Sequence, residues 1–216
     1  MTRVLIIDDH AMLRAGCGAM FAAWPDVEVV EAGSGEEGLE FAKSRVPDVV
    51  LLDLNLPGLS GFDVLKRLRM EVPSARVIVF SMYENPVYAA RAVQSGARAY
   101  VSKTDRPETL VEAFHAVMRG EDYLSHRMAQ KVAIMELRAG DNPLRLLTER
   151  ELDVLRLLAN GKTMAEIGDS LDISYRTVAN VASILKRKLK VTTMAQLLLL
   201  ASDYMSDPAK AQIRTF

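Results

Sequence analysis

Hydrophobic positions along this chain fall into two regimes, and the change comes a little past the middle. In the first regime short apolar runs alternate with amphipathic stretches. The runs are Val4–Ile7, Val27–Val30, Val49–Leu52, Arg76–Phe80 and Ala99–Val101. Val4–Ile7 and Val49–Leu52 lack the polar residue at every second position that marks a half-exposed strand, so they predict strands buried on both faces. Between the runs, helical spacing appears around residues 10–23, 35–44, 61–71, 86–95 and 107–118, the first with Met12, Leu13, Met20 and Phe21, the last with Leu110, Val111, Phe114 and Val117. Five βα units of this kind predict an α/β domain, a five-stranded, doubly wound parallel sheet. A flavodoxin-like strand order would bring the ends of the first and third strands together.

The second regime is helical throughout. Thr148 and Glu151 form a capping box ahead of Leu152, Val154, Leu155, Leu157 and Leu158, and Asn160-Gly161 stops that helix. A short helix with Ile167 and Leu171 follows. Asp172-Ile173-Ser174 then turns the chain into a longer helix whose apolar positions Val178, Ala182, Leu185 and Leu189 share one face. Two helices joined by a short turn suit a helix-turn-helix, and they equally suit three-helix packing with no nucleic-acid role. Between the regimes, Met128 to Leu137 reads as a helix and Gly140-Asp141-Asn142-Pro143 as a cluster of breakers. The expected division is therefore residues 1–120, a linker over 121–144, and a small all-α domain over 145–216.

Composition narrows the classes. Of 216 residues half are hydrophobic and a quarter charged, which suits a globular protein of two domains. A lone Cys17 fits a reducing compartment, and no run reaches the ~18 apolar residues of a membrane span, so the expected location is the cytoplasm. The net charge of -1 hides an asymmetry: residues 1–120 hold 13 Lys+Arg against 16 Asp+Glu, residues 121–216 hold 14 against 12. Residues 174–190 carry Arg176, Lys186, Arg187, Lys188 and Lys190 with no acid, a solvated helix face or a nucleic-acid contact.

Chemistry gathers at the strand ends. The first strand runs into Asp8-Asp9 and the third into Asp53; Ser81 follows the fourth, and Lys103 lies just past the fifth. Three carboxylates at one sheet rim repel unless a cation collects them, and Mg²⁺, which prefers oxygen ligands, fits best. With a hydroxyl and an ammonium beside them the set suits a phosphoryl group, with Asp53 as nucleophile. Taken singly, each has a plainer reading: Asp8-Asp9 as helix caps, Asp53 as a turn former, Ser81 and Lys103 as surface residues.

Leu5-Ile6-Ile7-Asp8-Asp9-His10, Leu52-Asp53-Leu54-Asn55-Leu56-Pro57-Gly58, Gly61, Ser81 and Gly96-Ala97-Arg98-Ala99-Tyr100-Val101-Ser102-Lys103 resemble the receiver domain of two-component response regulators. The resemblance implies that a sensor histidine kinase phosphorylates Asp53. It also implies Mg²⁺ held by Asp9, Asp53 and the Asn55 backbone carbonyl, with Asp8 acting through water, and a switch pair made of Ser81 and Tyr100. Leu147 to Leu155, Ala159-Asn160-Gly161-Lys162-Thr163, Glu166-Ile167, Ile173-Ser174, Thr177-Val178 and Lys188-Leu189-Lys190-Val191 are similar to LuxR-type output domains, so the whole chain resembles a NarL/FixJ-family regulator. That implies a homodimer on double-stranded DNA, contacted from Thr163, Ser174, Arg176, Thr177, Ala179, Asn180, Ser183, Arg187 and Lys188. Ala179 and Val181 stand where the family usually has Lys and His; Gly168, Asp169 and Asp172 also depart from the pattern. A receiver whose helix-turn-helix serves protein partners is the alternative; a phosphatase of the haloacid-dehalogenase kind is disfavoured because Asn55 sits where it needs an acid.

Overall fold

Every apolar run of the first half forms a strand. They are β1 (Thr2–Ile7), β2 (Val27–Ala32), β3 (Val49–Leu52), β4 (Arg76–Ser81) and β5 (Ala99–Ser102). In the computed structural model, which describes residues 1–137 and 142–206, they lie parallel in the order β2-β1-β3-β4-β5. The expected five strands become six, because β6 (Tyr123–Leu124) adds to the edge, with Tyr123 opposite Ala99 and Leu124 opposite Tyr100. This strand falls in the stretch read as linker. Two half-buried residues leave no apolar run to read; what makes them a strand is the open edge of β5.

The helices α1 (Ala11–Ala22), α2 (Gly35–Arg45), α3 (Gly61–Glu71), α4 (Pro86–Gln94) and α5 (Pro107–Met118) follow β1 to β5 in turn. Val4, Ile6, Val49, Leu51, Ile78 and Val101 bury one sheet face against Phe21 of α1 and Phe114 and Val117 of α5. Phe21, Trp24 and Phe114 meet at ring separations of 5.1–5.7 Å, each such pair adding ~0.5–1.5 kcal/mol beyond its buried area. Ile7 points to the other face, close enough to Gly38 of α2 that a Cβ there would lie 2.4 Å from it. Met12 breaks the expected pattern. It is 91% exposed, because α1 buries only Cys17, Gly18 and Phe21.

The chain divides into two units, Met1–Ile134 and Met135–Phe216, and α6 (His126–Leu137) spans the division. Gly140 and Asp141 lie outside the described residues; Asn142 caps the short 3₁₀ turn Pro143–Leu146. Then come α7 (Glu149–Ala159), α8 (Met164–Leu171), α9 (Tyr175–Lys188) and α10 (Met194–Ser206). Thr148 and Glu151 form the expected capping box, and the core joins Leu152, Leu155 and Leu158 to Ile167, Val178, Ala182, Leu185, Leu197 and Ala201. Among the described residues no helix is long and apolar enough to cross a membrane.

Candidate functional site

Strand register decides which side chains meet. Ile7 pairs with Leu52, and the Asp53 N–H donates to the Ile7 carbonyl at 2.9 Å, so Asp8 and Asp53 leave adjacent strands at the same level. Ser81 pairs with Ser102 on the next two strands, and the Lys103 N–H donates to the Ser81 carbonyl at 2.9 Å. The Lys103 side chain reaches back across this rim, and its Nζ donates to Asp8 Oδ2 and Asp53 Oδ2, each at 2.6 Å. Gly61 lets α3 begin against this floor: a Cβ there would sit 2.3 Å from the Asp53 carbonyl oxygen.

Asp8, Asp53 and Ser81 are all buried, and Asp9 stands at the mouth. Burial pushes the Asp53 carboxyl above the usual carboxylate range, and the Lys103 ammonium beside it pulls back only in part. For Lys103, burial works against the charge, but the Asp53 and Asp8 carboxylates outweigh it and hold the amine above its ordinary value. Three acids face one ammonium, and Asp8, Asp9, His10 and Asp53 each offer a ligand atom within 4.8 Å of the others. An acidic pocket of this charge and oxygen-rich donor set fits a hard divalent cation, with the His10 ring already paired to Asp9 at 2.8 Å. The plainer readings hold alongside this one in part. The Asp8 carboxylate accepts the His10 N–H at 2.9 Å, although no side chain caps α1, and Asp53 closes a turn by accepting the Asn55 N–H at 3.1 Å.

Tyr100 is fully buried, its ring directed inward, and its hydroxyl donates to the Tyr83 carbonyl at 2.7 Å; burial pushes that phenol well up, and Ser81 lies in hydrogen-bonding reach of it. Tyr83 is the site residue that sequence reasoning missed. Its hydroxyl donates to Asn55 Oδ1 at 2.9 Å, its N–H to Ser81 Oγ at 3.4 Å, and its ring packs on Tyr88 at 4.5 Å. One residue thus ties the loop after β3 to the Ser81–Tyr100 pair. Its position two residues beyond a strand-end hydroxyl was the available signal.

The basic helix α9 buries Val178, Ala182, Leu185 and Leu189 as expected and turns Arg176, Asn180, Ser183 and Arg187 outward. Several of the nine expected contact positions have other work. Thr163 caps α8 through Glu166, Ser174 caps α9 through the Thr177 N–H, and the Ser183 hydroxyl donates to the Ala179 carbonyl at 3.0 Å. Lys188 lies off the outward face: its ammonium donates to Glu151 Oε2 at 2.7 Å and the Leu146 carbonyl at 3.0 Å.

The comparisons with known proteins agree with this geometry. Residues 4–115 match the response regulator receiver domain, and residues 145–201 match bacterial regulatory proteins of the luxR family. The transcriptional regulatory protein LiaR of Bacillus subtilis is 37% identical over 199 residues, covering 91% of this chain and 94% of LiaR. The chain belongs to the NarL/FixJ family of response regulators. A second relative, the nitrate/nitrite response regulator NarL of Escherichia coli K12, is also 37% identical, over 89% of this chain and 91% of NarL. Among solved structures, RcsB from Salmonella enterica serovar Typhimurium, bound to promoter P1flhDC in the presence of phosphomimetic BeF3-, superposes with a TM-score of 0.68. It is 26% identical and covers 93% of this chain and 98% of that one.

As a response regulator the chain joins a receiver to a LuxR-type DNA-binding domain, and two of its departures from the family pattern, Asp172 and Gly168, fit the local backbone. Asp172 takes the left-handed backbone, φ 51°, that glycine usually fills, a conformation Asp tolerates better than most residues. Gly168 lets α8 approach the turn, since a Cβ there would meet the Ile173 carbonyl at 2.7 Å.

Proposed function

We propose that this response regulator accepts a phosphoryl group on Asp53 from a sensor histidine kinase, and that the modified receiver controls binding of its LuxR-type domain to double-stranded DNA. The observation that carries this reading is the buried Asp53 carboxylate held at 2.6 Å by Lys103 beside a second acid and a buried hydroxyl. A carboxylate oxygen of Asp53 attacks the phosphorus of the kinase's phosphohistidine; the P–O bond forms as the P–N bond breaks, and the imidazole leaves with the bonding pair. Lys103 balances charge on the phosphoryl oxygens, and the Ser81 hydroxyl donates to one of them. Asp9, Asp53 and the Asn55 backbone carbonyl would hold Mg²⁺, with Asp8 acting through water, and the ion supplies charge neutralisation. Ser81 and Tyr100, joined through Tyr83, form the switch. Apart from its own phosphorylation and its hydrolysis by water, the receiver catalyses nothing.

In this reading residues 1–120 carry the chemistry, 145–216 the DNA contact, and 121–144 connect them, all in the cytoplasm. Helix α10 buries Leu197 and Ala201 but leaves Leu198 and Leu199 outward, an apolar edge that supports a homodimer whose two-fold axis matches paired half-sites. A second reading, a helix-turn-helix serving protein partners, draws on Ala179 and Val181; a salt series on promoter DNA separates the two, since only phosphate contacts give a steep salt slope. The phosphorylation reading is tested by incubating wild type and Asp53→Asn with a small phosphodonor and Mg²⁺. One phosphoryl group per chain is expected on wild type and none on the variant; equal labelling of both, or labelling indifferent to a chelator, overturns it.

A further inference from the structure

The outward face of α9 carries two arginines and an asparagine whose side chains are unengaged, and together they point to what it reads. Among the described residues, the side chains of Arg176, Asn180 and Arg187 make no hydrogen bond or ion pair, whereas those of Thr163, Ser174, Thr177, Ser183 and Lys188 are engaged within the domain. The three unengaged side chains stand at spacings of four and seven residues, so they share one side of the helix. Arg176 and Arg187 are roughly 16 Å apart along the axis, at ~1.5 Å per residue, comparable to the ~12 Å width of a major groove and its walls. Asn180 sits between them, and half-buried Ala179 and Val181 flank it with nothing but methyl groups.

We infer that Asn180 reads adenine in the major groove, and that the methyl-bearing Ala179 and Val181 beside it meet thymine methyls, making the centre of each half-site an A·T reader. The amide of Asn offers one acceptor and one donor in the spacing that adenine N6 and N7 complement, and only thymine presents a methyl group in that groove. Arg176 and Arg187 hold the phosphates on either side. Loss of the Lys and His usual at 179 and 181 is on this account a change of base preference. The inference rests on the DNA-binding reading above.

The test uses the full chain, phosphorylated, in a selection from random duplexes, followed by binding to the selected site. Wild type is expected to enrich an A·T pair at one position of each half-site. Replacing that adenine by 7-deazaadenine, or its neighbouring thymine by deoxyuridine, lowers affinity roughly ten-fold and a few-fold respectively, in line with one good bidentate contact. Asn180→Ala removes the preference at that position and the response to 7-deazaadenine while leaving the salt slope unchanged; Arg176→Ala weakens all sequences and reduces the slope by about one. A motif selected by wild type that Asn180→Ala retains intact, or one with G·C at the altered position, overturns the inference while leaving DNA binding in place. Failure of wild type to enrich any motif removes both.

Discussion

Replacing Lys103 by Met removes the only cation among the described residues that touches both Asp8 and Asp53, and the consequence can be worked from the geometry. Ligand oxygens of the two carboxylates lie within 4.8 Å of each other, and both side chains are almost fully buried. At an effective dielectric of ~20 their repulsion is about 3 kcal/mol. Burial already pushes the Asp53 carboxyl above its ordinary range and loss of the ammonium pushes it further, so proton uptake relieves part of this repulsion and ~3 kcal/mol is the upper end of the loss, reached where both carboxylates stay ionised. A loss of ~3 kcal/mol is a large share of a domain's 5–15 and corresponds to a drop of roughly 10 °C in the receiver's melting temperature. Because the repulsion is what a divalent cation relieves, Mg²⁺ should raise the melting temperature of Lys103→Met more than that of wild type. Thermal unfolding followed by circular dichroism at several Mg²⁺ concentrations measures both effects. A variant as stable as wild type without Mg²⁺, or one that gains less from it, would refute the charge-balance reasoning.

Three further outcomes follow from particular contacts. Glu151 sits below its ordinary value of 4.5: burial alone would raise it, and Lys188 with the Thr148 N–H outweighs burial. The folded state thus favours the ionised form, so this stabilisation is complete above pH 4.5 and fades as pH falls through the lower folded value; Glu151→Gln should flatten that acid limb in pH-dependent unfolding, and an unchanged limb would exclude the pair as its source. Leu199→Glu, on a side chain 63% exposed, should leave the unfolding free energy within ~0.5 kcal/mol of wild type yet abolish dimers in sedimentation on DNA. Ala179→Lys should tighten binding to non-specific DNA and steepen the salt slope by about 0.9 while weakening the preference for the selected A·T site, and an unchanged preference would place residue 179 away from the base edges.

How far the sequence could be read depended on whether a residue's role is local. Strands β1 to β5 were legible because a run such as Val49–Leu52 has no amphipathic alternative, and α7 was legible because Thr148 and Glu151 cap it from three residues apart. Strand ends rich in acids and followed by Ser81 and Lys103 made the pocket legible as chemistry, but the double contact of Lys103 is a property of strand register that spacing does not reveal. The same limit hid β6, whose two residues are a strand only beside β5, and Tyr83, whose partners Asn55 and Tyr100 come from distant segments. Met12 looks like core in the sequence, yet α1 turns it to solvent. Lys188 looks like part of a basic patch, yet its nearest carboxylate belongs to Glu151 on another helix.

In the proposed function chemistry at Asp53 sets DNA affinity, and the most direct test is fluorescence anisotropy of a labelled promoter fragment titrated with the full chain, with and without a small phosphodonor and Mg²⁺. Wild type should bind more tightly once phosphorylated, and Asp53→Asn should bind identically in both conditions. A wild-type chain carrying one phosphoryl group on Asp53 with unchanged affinity, or an Asp53→Asn chain that still responds to the donor, would contradict it.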